Sequence, residues 1–152
     1  MSDIAEARAN IRRMTRDDIH DVLALDRVAG GPTGSAISYG DMAAANPGTP
    51  PDLSFVAEVD GQIVGFMINR LAYLMVPLME VCIIHAILVH PDYQRRGIGS
   101  KLIQTLLNEC QNQGVDTIRI LIPEANKELQ ALFEEEGFQR SHVVALDKTF
   151  QS

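Results

Sequence analysis

Basic residues are in short supply. Thirteen lysines and arginines stand against twenty aspartates and glutamates, a net charge of −7. Phosphate backbones demand positive surface, so this balance argues against a nucleic-acid partner. A basic small molecule or an amine-bearing peptide would instead be steered favourably. Long apolar runs are missing as well. The longest, Val81 to Val89, is interrupted by His85 and falls far short of the roughly 20 residues a spanning helix needs, so no membrane segment is expected. The opening stretch MSDIAEARAN carries charges where a signal peptide needs an apolar core, which argues against export. Cysteine is scarce: Cys82 and Cys110 lie in apolar patterns without metal-ligand spacing. They read as reduced core thiols in a cytoplasmic protein. No internal repeat or low-complexity tract appears.

What is present is one domain's worth of chain, 152 residues of which 46% are hydrophobic, read as a single domain over 1–152. NIRRM predicts a short strand. Thr15, Asp17 and Asp18 start a helix whose apolar face is Ile19, Val22, Leu23 and Leu25, ending near Gly30-Gly31. From Gly30 to Asp52 a Gly/Pro/Ala/Ser-rich loop holds a short helix around Ser38 to Ala45. LSFVAEV, the pair Asp60-Gly61 and QIVGFMINRL form a hairpin, because Asp-Gly supplies the positive φ angles of a two-residue turn. AYLMVPLM carries Pro77 and reads as a strand end, an edge or an apolar loop. VCIIHAILV is apolar on both faces, the pattern of a central strand covered by helices on both sides. Ile98, Leu102, Ile103, Leu106, Leu107 and Cys110 mark a helix that stops before Gly114. VDTIRILI is the next strand. Asn126 caps a helix with Leu129, Leu132 and Phe133 on its buried face, and SHVVAL closes the chain as a final strand. The order gives an α/β protein of α+β type with a mixed sheet.

The stretch VHPDYQRRGIGSKL, residues 89–102, joins the central strand to a helix through Gly97 and Gly99. A helix start leaves backbone N–H groups without helical acceptors and carries the positive end of the dipole, which together make an anion site. Glycine lets the backbone approach a phosphate closely, and Arg95 and Arg96 add charge. GIGSK lacks the spacing of a Walker loop, and Leu102 stands where a dinucleotide fingerprint would need its third glycine.

The stretch resembles the acetyl-CoA signature of the GNAT N-acetyltransferase superfamily, Gln/Arg-x-x-Gly-x-Gly/Ala, met here by Gln94, Arg95, Arg96, Gly97, Ile98 and Gly99. The resemblance extends to LVHPDYQ before it, to the amphipathic helix after it, and to NKELQALFEEEGF, which is similar to the family's second conserved helix. It implies a mainly antiparallel sheet with a splayed central strand pair and helices on both faces. It further implies that backbone groups of Ile87, Leu88 and Val89 bind the pantetheine arm and that amides from Arg95 to Ser100 take the pyrophosphate. An amide near Leu88 or Val89 would polarise the thioester, and Asn126, otherwise a plain helix cap, would touch the cofactor arm. The activity implied is direct transfer of acetyl from acetyl-CoA to a primary amine of a small molecule or peptide, with no metal.

One position departs from the pattern. Where many members carry a tyrosine that protonates the departing thiolate beside the cofactor, this chain has Phe133, which cannot donate a proton. Tyr39, Tyr73 and Tyr93 are the remaining phenols, none at that place. Phe133 therefore also permits a second reading, a non-catalytic acyl-CoA-binding or regulatory module. His85 is the favoured base: it is the one ionisable side chain in an apolar strand, imidazole titrates near neutrality, and relatives often carry a glutamate nearby. A hydrogen-bonded core histidine is the alternative reading. Glu80, at the strand's start, is the second candidate base, against a solvated strand end. FMINRLAYLMVPLM either lines an acceptor pocket with Asn69 and Tyr73, serves as a homodimer interface, or is core beside a covered sheet edge.

Overall fold

The structure, a computed structural model, describes residues 9–29, 39–74 and 79–151. These divide into two compact units, 1–121 and 122–152. In the first unit, β1 (Asn10–Arg13), α1 (Ile19–Ala29), α2 (Tyr39–Ala45), β2 (Phe55–Val59), β3 (Gln62–Leu74), β4 (Met79–Val89), α3 (Ile98–Asn112) and β5 (Thr117–Ile120) follow in chain order, with short 3-10 turns at Arg16–Asp18 and Pro91–Tyr93. The second unit holds α4 (Lys127–Glu135). The five described strands form one sheet in the order β1-β2-β3-β4-β5. All pairings are antiparallel except β4 with β5, which is parallel because α3 crosses over between them. The expected mixed sheet is present.

Asp60 and Gly61 sit at φ +52° and +78°, as the two-residue hairpin turn between β2 and β3 requires. Beyond it β3 runs to Leu74 and β4 begins at Met79, so every described residue of AYLMVPLM is strand. Pro77, Gly30 and Gly31 lie outside the described residues. The short helix falls at Tyr39–Ala45, close to its expected place.

Alternation divides the sheet into two apolar faces. Val56 and Phe66, with the half-buried Ile68, Ala86 and Leu88, pack on Ile19, Val22, Leu23 and Leu25 of α1 and Met42 of α2. On the other side α3 contributes Ile98, Leu102, Ile103, Leu106 and Cys110, all buried. Cys82 and Cys110 are free thiols in the core, and the hydrogen bond to Cys110, with burial, holds the Cys82 thiol protonated far above its ordinary range.

Two expectations fail. VDTIRILI is a strand only over Thr117–Ile120, stopping short of Leu121 and Ile122. SHVVAL forms no strand: residues 143–151 are irregular, with Val144, Leu146 and Phe150 exposed. A short apolar run needs a neighbouring backbone to become a strand, and the described sheet ends at β5. Within the second unit, Gly137 at φ +92° ends α4, and Phe133 meets Phe138 edge to face at 5.0 Å.

The entry into α1 is held by charge. Arg12 on β1 forks onto Asp18 at 2.8 and 2.7 Å and also bonds Glu58 on β2, while Asp18 takes the Thr15 amide at 2.8 Å. The Arg12 hydrogen bond holds the Asp18 carboxyl below its ordinary value. Such a group stabilises the fold above the unfolded carboxylate's pKa of about 3.9 and loses that contribution as pH falls through its lowered folded value. Asp18→Ala is expected to cost about 2 kcal/mol at neutral pH. Urea unfolding at a series of pH values checks this: the gap from wild type should be full at pH 7 and close below about pH 4.

Candidate functional site

The site begins where β4 loses a neighbour. β5 pairs with β4 only from Val81↔Thr117 to Ile84↔Ile120, whereas β4 continues to Val89. On its other side β4 stays paired with β3 as far as Gly65↔Val89. The His90 amide donates to the Val64 carbonyl at 2.8 Å. In an antiparallel ladder bonded pairs alternate, so the Phe66/Leu88 and Ile68/Ala86 pairs face each other and the backbone groups of Ile87 and Val89 turn away from β3, into the splay. Among the resemblance-derived residues, this separates Leu88, whose backbone groups are directed at β3, from Ile87 and Val89. The Val89 carbonyl accepts Gln94 Nε2 at 2.9 Å.

A bulge sits just behind this edge. Ile68 opposes Ala86 while Asn69 opposes Ile84, leaving His85 as the extra residue of β4. A bulge shifts the alternation by one, so His85 and Ala86 point to the same side. His85 is exposed, not a core histidine. It borders an open cavity of about 400 Å³ between α2 and the sheet, walled also by Asp41, Met42, Asp52, Arg70 and Ala86. Asp52 is nearly buried and accepts the amides of Gly48 and Ser54 and the Ser54 hydroxyl. Asn69, expected at a pocket, borders the cavity, and its Nδ2 donates to the Leu53 carbonyl at 2.8 Å.

After Val89 the chain turns through Pro91–Tyr93, where the Asp92 amide donates to His90 Nδ1 at 3.1 Å. Arg95 and Gly97 then adopt φ +62° and +80°. α3 opens directly, its first helical bond running from the Lys101 amide to the Gly97 carbonyl at 3.0 Å. Helix geometry therefore leaves the amides of Ile98, Gly99 and Ser100 without helical acceptors at the positive end of a 15-residue helix. The left-handed residues before them form a concave amide surface suited to an anion. Arg96 lies over the Tyr93 ring at 5.4 Å and Arg95 is exposed.

Glu80 and Tyr73 face each other across β4 and β3 and are hydrogen-bonded, which raises the Tyr73 phenol's pKa. Glu80 precedes His85 by five residues of extended strand, about 16 Å, so the structure does not bring the two candidate bases together. In the second unit Asn126 caps α4, its Oδ1 accepting the Leu129 amide at 3.1 Å, and Phe133 is buried.

A family model described as the acetyltransferase (GNAT) family matches residues 17–138. The chain belongs to that family. Over 91 residues it is 29% identical to the [ribosomal protein bS18]-alanine N-acetyltransferase of Escherichia coli K12, a match covering 60% of this chain and 57% of that relative's length. The crystal structure of the Escherichia coli ribosomal-protein-S18-alanine N-acetyltransferase superposes with a TM-score of 0.74 at 23% identity, covering 88% of this chain and 79% of the other. An aminoglycoside N-acetyltransferase crystallised with CoA gives 0.78 at 19% identity, covering 93% and 94%. These likenesses are of fold.

Sequence reasoning missed the cavity walls Asp41, Asp52 and Arg70, which carry no motif, and the bulge, which exists only in the pairing of two strands. Gly65 was also silent. A Cβ there would meet the Leu88 carbonyl oxygen at 3.2 Å and side chains of Val89 and Ile98 at 3.5 Å. Gly65→Val is expected to destabilise the protein by about 1–3 kcal/mol through overpacking at the junction of β3, β4 and α3, measurable as a lowered urea midpoint.

Proposed function

We propose that this protein is an N-acetyltransferase that moves an acetyl group from acetyl-CoA to a primary amine of a small molecule or peptide by direct attack within a ternary complex. The observation that carries the reading is the succession of two sets of backbone donors: the amides of Ile87 and Val89, turned away from β3 beyond the end of β5, and, after the turn of residues 90–97, the amides at the start of α3. An extended amide-bearing arm ending in a pyrophosphate fits that sequence of groups. The family match over 17–138 runs across both compact units, which supports treating 1–152 as one acetyltransferase domain.

In this reading acetyl-CoA supplies an activated thioester. The amides of Ile98, Gly99 and Ser100 hold its pyrophosphate, assisted by Arg95. Ile87 and Val89 bind the pantetheine arm as an added strand. The Ile87 amide, two residues from His85, is the donor to the thioester oxygen and stabilises the negative charge that develops there. The acceptor amine enters by the cavity, where His85 takes the proton that makes an ammonium nucleophilic. With phenylalanine at position 133, the thiolate leaves without a phenol to protonate it, acceptable for a group whose thiol titrates near 8.5. Asp41 and Asp52 outnumber Arg70 in the cavity wall that holds His85, a balance that suits a cationic acceptor. The relatives named above act, by their names, on a ribosomal-protein alanine and on aminoglycosides. A cytoplasmic location accords with the free thiols and with the lack, among the described residues, of any helix long and apolar enough to cross a membrane.

Gly97→Glu sets a carboxylate against the pyrophosphate surface and is expected to abolish acetyl-CoA binding in a calorimetric titration that wild type passes. Unchanged affinity removes the loop from the site. His85→Ala is expected to lower turnover at neutral pH about a hundredfold with little change in acetyl-CoA affinity. Turnover equal to wild type across the pH range removes His85 from the mechanism.

A further inference from the structure

The Val89 carbonyl lies on the splayed side of β4, where a longer β5 would have supplied a ladder donor. Its partner is instead the Gln94 side chain, whose Nε2 donates at 2.9 Å. The backbone makes this possible: Gln94 itself is extended, at φ −70° and ψ 158°, and the left-handed turn at Arg95 follows immediately. Gln94 is exposed, so this bond adds little to the stability of the fold; a solvated side-chain bond is nearly matched by water. Its consequence falls on whatever lies in the splay. With the carbonyl engaged, the first free donor that an incoming extended chain meets after the pyrophosphate surface is the Val89 amide. The next backbone groups on that side are those of Ile87, beside His85.

We propose that Gln94 is a positioning residue: it occupies the end of the β4 ladder and so fixes the register in which an acyl-CoA arm lies along Val89 and Ile87. This rests on the acetyl-CoA reading above. A slip of one bonded pair along β4 moves the thioester by two residues, about 7 Å, which carries it out of reach of the Ile87 amide and of His85. The side chain also offsets the partial negative charge that a bare Val89 carbonyl would present next to a pyrophosphate.

The test compares wild type, Gln94→Leu and Gln94→Arg, each checked for fold by circular dichroism, with two probes. ADP carries the pyrophosphate and no pantetheine arm; acetyl-CoA carries both. Gln94→Leu is expected to keep ADP affinity within about twofold, to weaken acetyl-CoA about tenfold, and to lower kcat about tenfold beyond that, as the loss of one charge-neighbouring hydrogen bond would. Gln94→Arg is expected to restore acetyl-CoA affinity and kcat to within about threefold of wild type. Equal weakening of ADP and acetyl-CoA by Gln94→Leu would reduce Gln94 to a support for the loop and overturn the proposal, as would no change in either. Wild type that binds neither probe overturns the acetyl-CoA reading itself, a failure distinct from that of Gln94.

Discussion

The parting of β4 from β5 after Ile84 and Ile120 is the constraint on which the rest of the site depends. A sheet that leaves backbone donors and acceptors unpaired gives up hydrogen bonds that ordinary strands make. Here the cost coincides with a local cause. The extra residue in β4, His85, comes directly after the last pair shared with β5, and a bulge adds twist and bends its strand. β3 follows the bend by absorbing the register shift, whereas β5, four residues long, does not extend past it. One inserted residue thus accounts for both the open edge and the histidine at its back.

The two halves of the site are built from different materials. In the proposed reading the donor side is backbone: amides of Ile87 and Val89 and of the first turn of α3, aimed by sheet register and helix geometry, with Arg95 and Gly97 in the left-handed conformation just before them. In the same reading the acceptor side is side chains: His85 with Asp41, Asp52 and Arg70 around a cavity under α2. Backbone recognition is indifferent to the identity of most side chains, which suits a constant ligand. Side-chain recognition changes with single substitutions in loops and helix faces, which suits an acceptor that differs from one relative to the next.

This division explains what the sequence disclosed. The turn and helix start over Gln94 to Ser100 were legible from the glycines there, and the surrounding apolar periodicities located β4 and α3. The hairpin was legible from Asp60-Gly61 alone. His85 could be named from its place in an apolar strand, but which way it pointed could not, because alternation breaks at a bulge visible only in pairing. Glu80, the second candidate in the sequence, lies about 16 Å from His85 along the strand and faces Tyr73 on β3. SHVVAL had the β-branched apolar composition of a strand without the neighbour that makes one.

The central claim is that Ile87 and Val89 offer free backbone amides to acyl-CoA while Leu88 does not. Residue-resolved amide hydrogen exchange, followed by NMR with and without acetyl-CoA, tests it directly. The account predicts slow exchange at Leu88 in both states, and fast exchange at Ile87 and Val89 in the free protein that slows markedly when acetyl-CoA binds. Ile87 and Val89 already protected in the free protein, or unaffected by bound acetyl-CoA, would contradict it.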